Sequence, residues 1–187
     1  SPGDLDMVIV ATTTPDFVFP PTSALVADRL GATSAGAVDM NAVCSGFVYA
    51  LAHATAMVEA GFARKALVIG AETLSRFVDW SNRETCVLFG DAAGATLLGA
   101  AEEPGHGMLA STLRTDGTLT GILGIYGGGS RRPLSPELLS DNGAKIKIRG
   151  REVYKSATRV LPEVVAETLA KAGLTAADVT HVISHQA

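Results

Sequence analysis

Cysteine is scarce in this sequence: Cys44 and Cys86 are the only two in 187 residues. Two thiols exclude a disulfide framework and a zinc site made of four thiolates, but leave room for one nucleophile. Aromatic residues make up 5% of the chain and charged residues 18%, with 15 basic side chains against 19 acidic ones and a net charge of −4. Lacking a basic excess, the chain has no extended field to hold nucleic acid or an anionic membrane. An anionic ligand must be met by a few local cations. No apolar run approaches the roughly 18 residues of a membrane span, and Ser1-Pro2-Gly3-Asp4 lacks the regions of a signal peptide, so the expectation is a soluble, cytoplasmic protein. His53, His106, His181 and His185 have no H-E-x-x-H or C-x-x-C companion, and no metal is expected. No G-x-G-x-x-G follows a strand, and Gly90-Asp91-Ala92-Ala93-Gly94 lacks the lysine of a Walker loop, which leaves NAD and nucleoside triphosphate chemistry unsupported.

What is present is an apolar, small-residue chain: 47% hydrophobic, with 20 glycines. Such a composition suits closely packed helices and strands. Its length, set against roughly 150 residues per domain, allows one large domain or two small ones. Met7–Ala11 reads as a buried strand ending in Thr12-Thr13-Thr14-Pro15. Thr22 or Ser23 caps a helix to Leu30, which Gly31 ends. Ala37–Met40 reads as a second strand, and Ala66–Gly70 as a third that completes a parallel βαβαβ unit. Between them, residues 45–60 are helical and apolar nearly all round, the pattern of a buried helix. Cys86–Phe89 and Ala95–Leu98 are further strand candidates around a Gly90–Gly94 turn. Residues 115–143 are loop-rich. A helix follows over 151–172 with Val153, Tyr154, Ala157, Val160, Leu161, Val164, Val165 and Leu169 on one side and Pro162 as a possible kink, then a strand over 180–184.

Asn41-Ala42-Val43-Cys44-Ser45-Gly46 lies where the second strand turns into the apolar helix. The unpaired N–H groups and dipole of a helix start lower a thiol's pKa, and Gly46 allows close approach of a substrate. The position fits a nucleophile, and it equally fits a buried structural cysteine. Cys86, in an apolar run with no helix start behind it, reads as a core residue. His185, at the end of a strand, lies where open α/β sheets place functional groups. His181 and His106 read as ordinary exposed residues and His53 as hydrogen-bonded within its helix. Of the cations in or near loops, Arg83, Arg131, Arg132, Lys147, Arg149 and Arg151, one or two are available to meet a phosphate.

Several motifs in order carry a family likeness: Cys44-Ser45-Gly46-Phe47, Val68-Ile69-Gly70-Ala71-Glu72-Thr73-Leu74-Ser75, Asp79-Trp80-Ser81-Asn82-Arg83-Glu84-Thr85, Phe89-Gly90-Asp91-Ala92-Ala93-Gly94-Ala95 and His185-Gln186-Ala187. Together they resemble β-ketoacyl-acyl carrier protein synthase III of the thiolase superfamily over nearly the whole chain. The resemblance implies an α/β, thiolase-like fold, layered α-β-α-β-α with mixed sheets. Residues 1–104 would then be part of the N-terminal half and 105–187 the start of the C-terminal half. It also implies that the sequence is the central portion of a longer family chain, without either terminal segment and without the third catalytic side chain, an asparagine.

By this resemblance Cys44 takes an acyl group from acyl-CoA, and its backbone N–H is half of the oxyanion hole. His185, with that asparagine, stabilises the enolate formed when malonyl-acyl carrier protein loses CO₂. Leu74, Phe89, Leu123 and Ile146 line the acyl pocket, joined by Phe19 from the other subunit of a homodimer. Arg83, Gly150, Tyr154 and Ala187 lie along bound CoA. The implied partners are acyl carrier protein, acyl-CoA and a second copy of the chain, with no nucleic acid, membrane or cofactor. Alternatives from the same residues are a secondary-metabolite ketosynthase III-like enzyme, a catalytically incomplete fragment that only binds acyl-CoA, and a Cys-His hydrolase.

Overall fold

A computed structural model describes residues 1–185. The chain divides into two compact units: Ser1–Thr73 with Asp91–Leu109, and Leu74–Gly90 with the residues from Ala110 onward.

The first unit is a four-stranded sheet with helices on both faces. Its elements are β1 (Met7–Ala11), α1 (Thr22–Leu30), β2 (Gly36–Met40), α2 (Gly46–Glu59), β3 (Lys65–Thr73) and β4 (Asp91–Gly99), with strand order β2-β1-β3-β4. β1 lies parallel to β2 and to β3, opposing Ile9 to Val38 on one side and to Val68 on the other. That is the parallel βαβαβ unit expected from the sequence.

β1 reads as an unbroken apolar run because both of its faces are covered, as parallel strands require. Ile9 and Ala11 pack with Ala50, Ala54, Ala66 and Val68 on the α2 side, while Val8 and Val10 pack with Leu5, Ala27 and Ala32 on the other. β4 runs antiparallel to β3 from its first residue, pairing Asp91 with Thr73 and Gly94 with Gly70. Asp91–Gly94 is therefore strand, where a turn was expected: the small residues after Gly90 simply continue the ladder.

α1 begins at the expected residue, but by a different device. Neither Thr22 nor Ser23 caps it with its own side chain. Instead both backbone N–H groups donate to the carboxylate of Asp39 on β2, each at 2.8 Å. A carboxylate there satisfies two unpaired donors and the positive end of the helix dipole together. Gly31, at φ 74°, ends the helix, and the next amide, Ala32, reaches back to the Ala27 carbonyl. Asp39→Ala is expected to lower stability by about 1–2 kcal/mol, measured by the urea midpoint, with Asp39→Asn retaining part of the loss. An unchanged midpoint for the alanine variant would contradict the cap.

α2 is less buried than its composition predicts. Gly46, Ala50 and Ala54 are buried, whereas Phe47, Val48 and Ala56 face solvent. Its small residues form the seam against the sheet, and its larger apolar ones lie off that seam.

The second unit holds β5 (Leu123–Gly124), α3 (Pro136–Ser140), β6 (Lys147–Ile148) and α4 (Gly150–Lys171), with β5 and β6 paired antiparallel. Val78, Leu138 and Ile146 are its buried apolar residues. Ser135 caps α3, its Oγ accepting the Leu138 N–H at 3.2 Å, and Pro136 opens the helix. α4 continues through Pro162 without a break in its assignment. Its buried side is narrower than expected: Val153, Ala157, Val160, Val164 and Leu169 are half-buried, while Tyr154, Leu161 and Val165 form an exposed stripe.

Two expected strands are absent from this unit. Residues 86–89 lie in a run of turns, where the N–H groups of Thr85 and Cys86 both donate to the Asn82 carbonyl and Glu84 N–H donates to the Asn82 side chain. An asparagine that captures nearby amides competes directly with a strand ladder. Residues 180–184 are irregular and pair with no strand among the described residues; β propensity makes a strand only where a ladder partner lies alongside.

Candidate active site

The carboxyl ends of β1, β2 and β3 lie at one edge of the sheet, the edge where open parallel sheets collect functional groups. Cys44 is there. It occupies a short 3₁₀ turn, Val43–Ser45, between the end of β2 and the first residue of α2. Two glycines fix this turn against the sheet. A Cβ on Gly46 would lie 3.2 Å from Ala11 Cβ, and one on Gly70 would lie 3.2 Å from Phe47 Cδ2. Gly46 thus seats α2 against β1. Val43 adopts φ 50°. A β-branched residue in the left-handed region costs about 1–3 kcal/mol and persists only where its surroundings hold it. The chain therefore stores strain in the residue preceding the thiol.

Cys44 is exposed. Its thiol pKa is nevertheless pushed up, first by the protein that surrounds the sulfur and displaces water, and further by the negative charge of Glu72. A hydrogen bond from its own backbone pulls the other way. The expected lowering by the helix start at Gly46, which only Ser45 separates from Cys44, is outweighed by the loss of water around the sulfur.

Sequence reasoning did not single out Glu72, Thr13 and Thr14, which form the most connected polar cluster at this edge. Glu72 Oε1 accepts the Thr13 N–H at 2.9 Å, and Oε2 accepts the hydroxyls of Thr13 at 2.7 Å and Thr14 at 2.9 Å. The signal available in the sequence was an acidic residue closing the apolar run of β3 and a threonine triplet closing that of β1.

His185 lies in the second unit, exposed, at the end of the irregular 180–184 segment. Of the expected acyl-pocket residues, Leu74, Phe89 and Leu123 are half-buried in that unit. Ile146 is buried, its N–H donating to the Phe77 carbonyl, and it precedes β6, which pairs with the strand carrying Leu123. Phe19 stands 83% exposed in the loop after β1, beside a cis Phe19–Pro20 bond.

Of the expected CoA residues, Arg83 and Tyr154 are exposed. Gly150 lines an open cavity of about 530 Å³ with Glu84, Leu88, Ile148, Arg149, Arg151 and Glu152. Ala187 lies outside the described residues. Among the described residues no group of three or more His, Cys, Asp or Glu is placed to hold a metal ion, and no helix is long and apolar enough to cross a membrane.

Comparison with known proteins agrees with this geometry. The family model of 3-oxoacyl-acyl-carrier-protein (ACP) synthase III matches residues 38–117, a span that contains Cys44. The β-ketoacyl-acyl-carrier-protein synthase III of Caldanaerobacter subterraneus is 49% identical over 186 residues, which cover 100% of this chain and 56% of that protein. The solved 3-oxoacyl-acyl-carrier-protein synthase III of Aquifex aeolicus superposes with a TM-score of 0.84 at 41% identity, over 96% of this chain and 53% of the other. The priming β-ketosynthase of the R1128 polyketide pathway superposes at 0.82 with 32% identity, over 95% and 52%. The fold is therefore thiolase-like, with the mixed sheet expected, and the chain spans about half the length of the relatives it matches. Over its whole length the chain is similar to β-ketoacyl-acyl carrier protein synthase III enzymes, and residues 38–117 match the model of that family.

Proposed function

We propose that the protein to which this sequence belongs is a decarboxylating condensing enzyme that joins an acyl group from acyl-CoA to malonyl-acyl carrier protein and so starts fatty acid synthesis. The observation that carries this reading is the solvent-exposed Cys44 on a strained turn at the carboxyl end of the parallel strands, in a chain that resembles this family over its whole length. The Cys44 sulfur, as thiolate, attacks the thioester carbonyl of acyl-CoA, the C–S bond to CoA breaks, and CoA leaves as a thiolate that takes up the proton the Cys44 thiol released on ionising. Backbone N–H groups at the helix start suit the oxyanion formed on the way. Malonyl-acyl carrier protein then loses CO₂, and the electron pair of the broken C–C bond forms an enolate, whose oxygen a His185 N–H stabilises. The enolate carbon attacks the acyl carbonyl, the Cys44 thiolate leaves, and β-ketoacyl-acyl carrier protein is released. This chemistry calls for no cofactor.

Phe19 supports a homodimer, since a side chain that enters a neighbouring subunit's pocket has to stand clear of its own unit, and this one does. Arg151, with Arg149 paired to Glu152 at 3.5 Å, gives the 530 Å³ cavity beside Gly150 cations for a CoA phosphate, next to the turn that bears Arg83. Leu74, Phe89, Leu123 and Ile146 supply the apolar surface for an acyl chain. The likeness to the R1128 priming ketosynthase favours one second reading, in which the product primes a polyketide instead of a fatty acid.

The test separates the two half-reactions. His185→Ala is expected to keep acyl transfer to Cys44 within a few-fold of wild type, while formation of labelled β-ketoacyl product from malonyl-acyl carrier protein falls by a factor on the order of 10²–10⁴. Equal loss of both steps would remove His185 from the condensation role. Release of free acid without carbon–carbon bond formation would convert the reading to hydrolysis.

A further inference from the structure

We propose that Glu72 is a positioning residue for Cys44: its carboxylate gathers the Thr12–Thr14 turn onto the end of β3 and so braces the strand ends from which the Cys44 turn departs. This inference deepens the condensing-enzyme reading and rests on it for its consequence, though not for its geometry.

The geometry closes on itself. Besides the three bonds into the Glu72 carboxylate, Thr14 Oγ1 accepts the Thr73 N–H at 2.8 Å, and Thr12 Oγ1 accepts the Thr14 N–H at 3.0 Å. Thr12, 7% exposed, also donates its N–H to the Met40 carbonyl at 3.1 Å, the residue that ends β2 and enters the cysteine turn. One continuous set of bonds thus runs from β3 through the threonine turn to the strand that delivers Cys44. Ala11, the residue before that turn, is also the one on which Gly46 is seated.

A carboxylate with three donors and little freedom is held more firmly than a surface acid, and its field acts in a partly dry setting where charge counts for more. Among the described residues, Glu72 is the charged group whose field reaches the thiol. The consequence is a guarded nucleophile. With the resting sulfur kept as thiol, indiscriminate electrophiles meet little thiolate. The turn that carries it is meanwhile braced for the acyl donor.

The experiment is site-resolved alkylation of Cys44 by iodoacetamide as a function of pH, read by peptide mass so that Cys86 is scored separately. It compares wild type, Glu72→Gln and Glu72→Asp. Glu72→Gln is expected to move the midpoint down and to speed alkylation near neutral pH several-fold. Glu72→Asp, which keeps the charge, should leave the midpoint where wild type has it. An unmoved midpoint in folded Glu72→Gln, or an equal shift in Glu72→Asp, would overturn the proposal.

If Glu72→Gln does not fold, amide exchange in the wild type decides. The Thr13 and Thr73 amides should be protected at least tenfold relative to exposed loop amides, and an unprotected Thr13 would overturn the clamp. Acylation of Cys44 by acyl-CoA, measured on the same wild-type sample, is independent of both readouts. A shifted midpoint without acylation would retain the Glu72 role and sink the condensing-enzyme reading. Acylation with an unshifted midpoint would do the reverse.

Discussion

Replacing Cys44 with alanine is expected to lower condensation by at least about 10³-fold, with no stable acyl adduct remaining on the protein. The size of the effect follows from what the side chain does. Removing a nucleophile deletes the covalent intermediate itself, and no neighbouring group takes over an attack that needs sulfur at a fixed place. Cys86 is no substitute: it lies in the run of turns after Asn82, with no helix start behind it. The alanine adds no bulk at an exposed position, so the variant should unfold at the same denaturant concentration as wild type within about 0.5 kcal/mol. A variant that loses activity and stability together would point to a structural cysteine instead. Serine in place of alanine should rescue little, because a hydroxyl is far less ionised than a thiol at the same site.

The largest expected effect on stability comes from the middle of the sheet. Ile9 is 1% exposed and packs with Ala11, Ala50, Ala54, Ala66 and Val68. Four of those five neighbours are alanines, and only Met7, Met40, Leu51 and Leu98 at the margin of the cluster have longer side chains to relax toward a gap. Ile9→Ala therefore leaves a cavity that collapses only in part, with an expected loss of about 3–4 kcal/mol. For a protein of ordinary stability, about 5–15 kcal/mol in all, this is a large fraction, visible as a shift of the urea midpoint at unchanged slope. Ile9→Val, which keeps most of the volume, should cost about 1 kcal/mol. A loss under about 1.5 kcal/mol for the alanine variant would mean that the α2 face of the sheet is looser than described.

Much of this architecture is legible in the sequence because it rests on apolar runs of strand length. β1 and the Ala66–Gly70 stretch of β3 are such runs, β2 is a shorter one interrupted by Asp39, and a parallel arrangement follows from the helices between them. Where reading failed, a local polar group or a missing partner decided the outcome. Cys86–Phe89 has strand composition, but Asn82, four residues before Cys86, draws its amides into turns. The 180–184 segment has strand composition too, and no described strand pairs with it. The helix start of α1 was legible and its cap was not, since Asp39 is distant in sequence and meets Thr22 only through the fold.

The site shows the same division. The place of Cys44 between a strand and a small-residue helix could be read from spacing. Its thiol chemistry could not, because the sign of the shift depends on how much protein surrounds the sulfur and on Glu72, 28 positions along the chain. Glu72 itself escaped notice because a single acid at a strand end looks like an ordinary surface residue until Thr13 and Thr14 are seen to converge on it.

The central claim is that the Cys44 sulfur receives the acyl group. Intact-protein mass measurement after exposure to acetyl-CoA and its longer homologues, followed by peptide mapping, tests it most directly. The account predicts one added acyl mass per chain, carried by the peptide that contains Cys44 and removed by hydroxylamine. An unchanged mass across the series, or an adduct confined to Cys86, would contradict it.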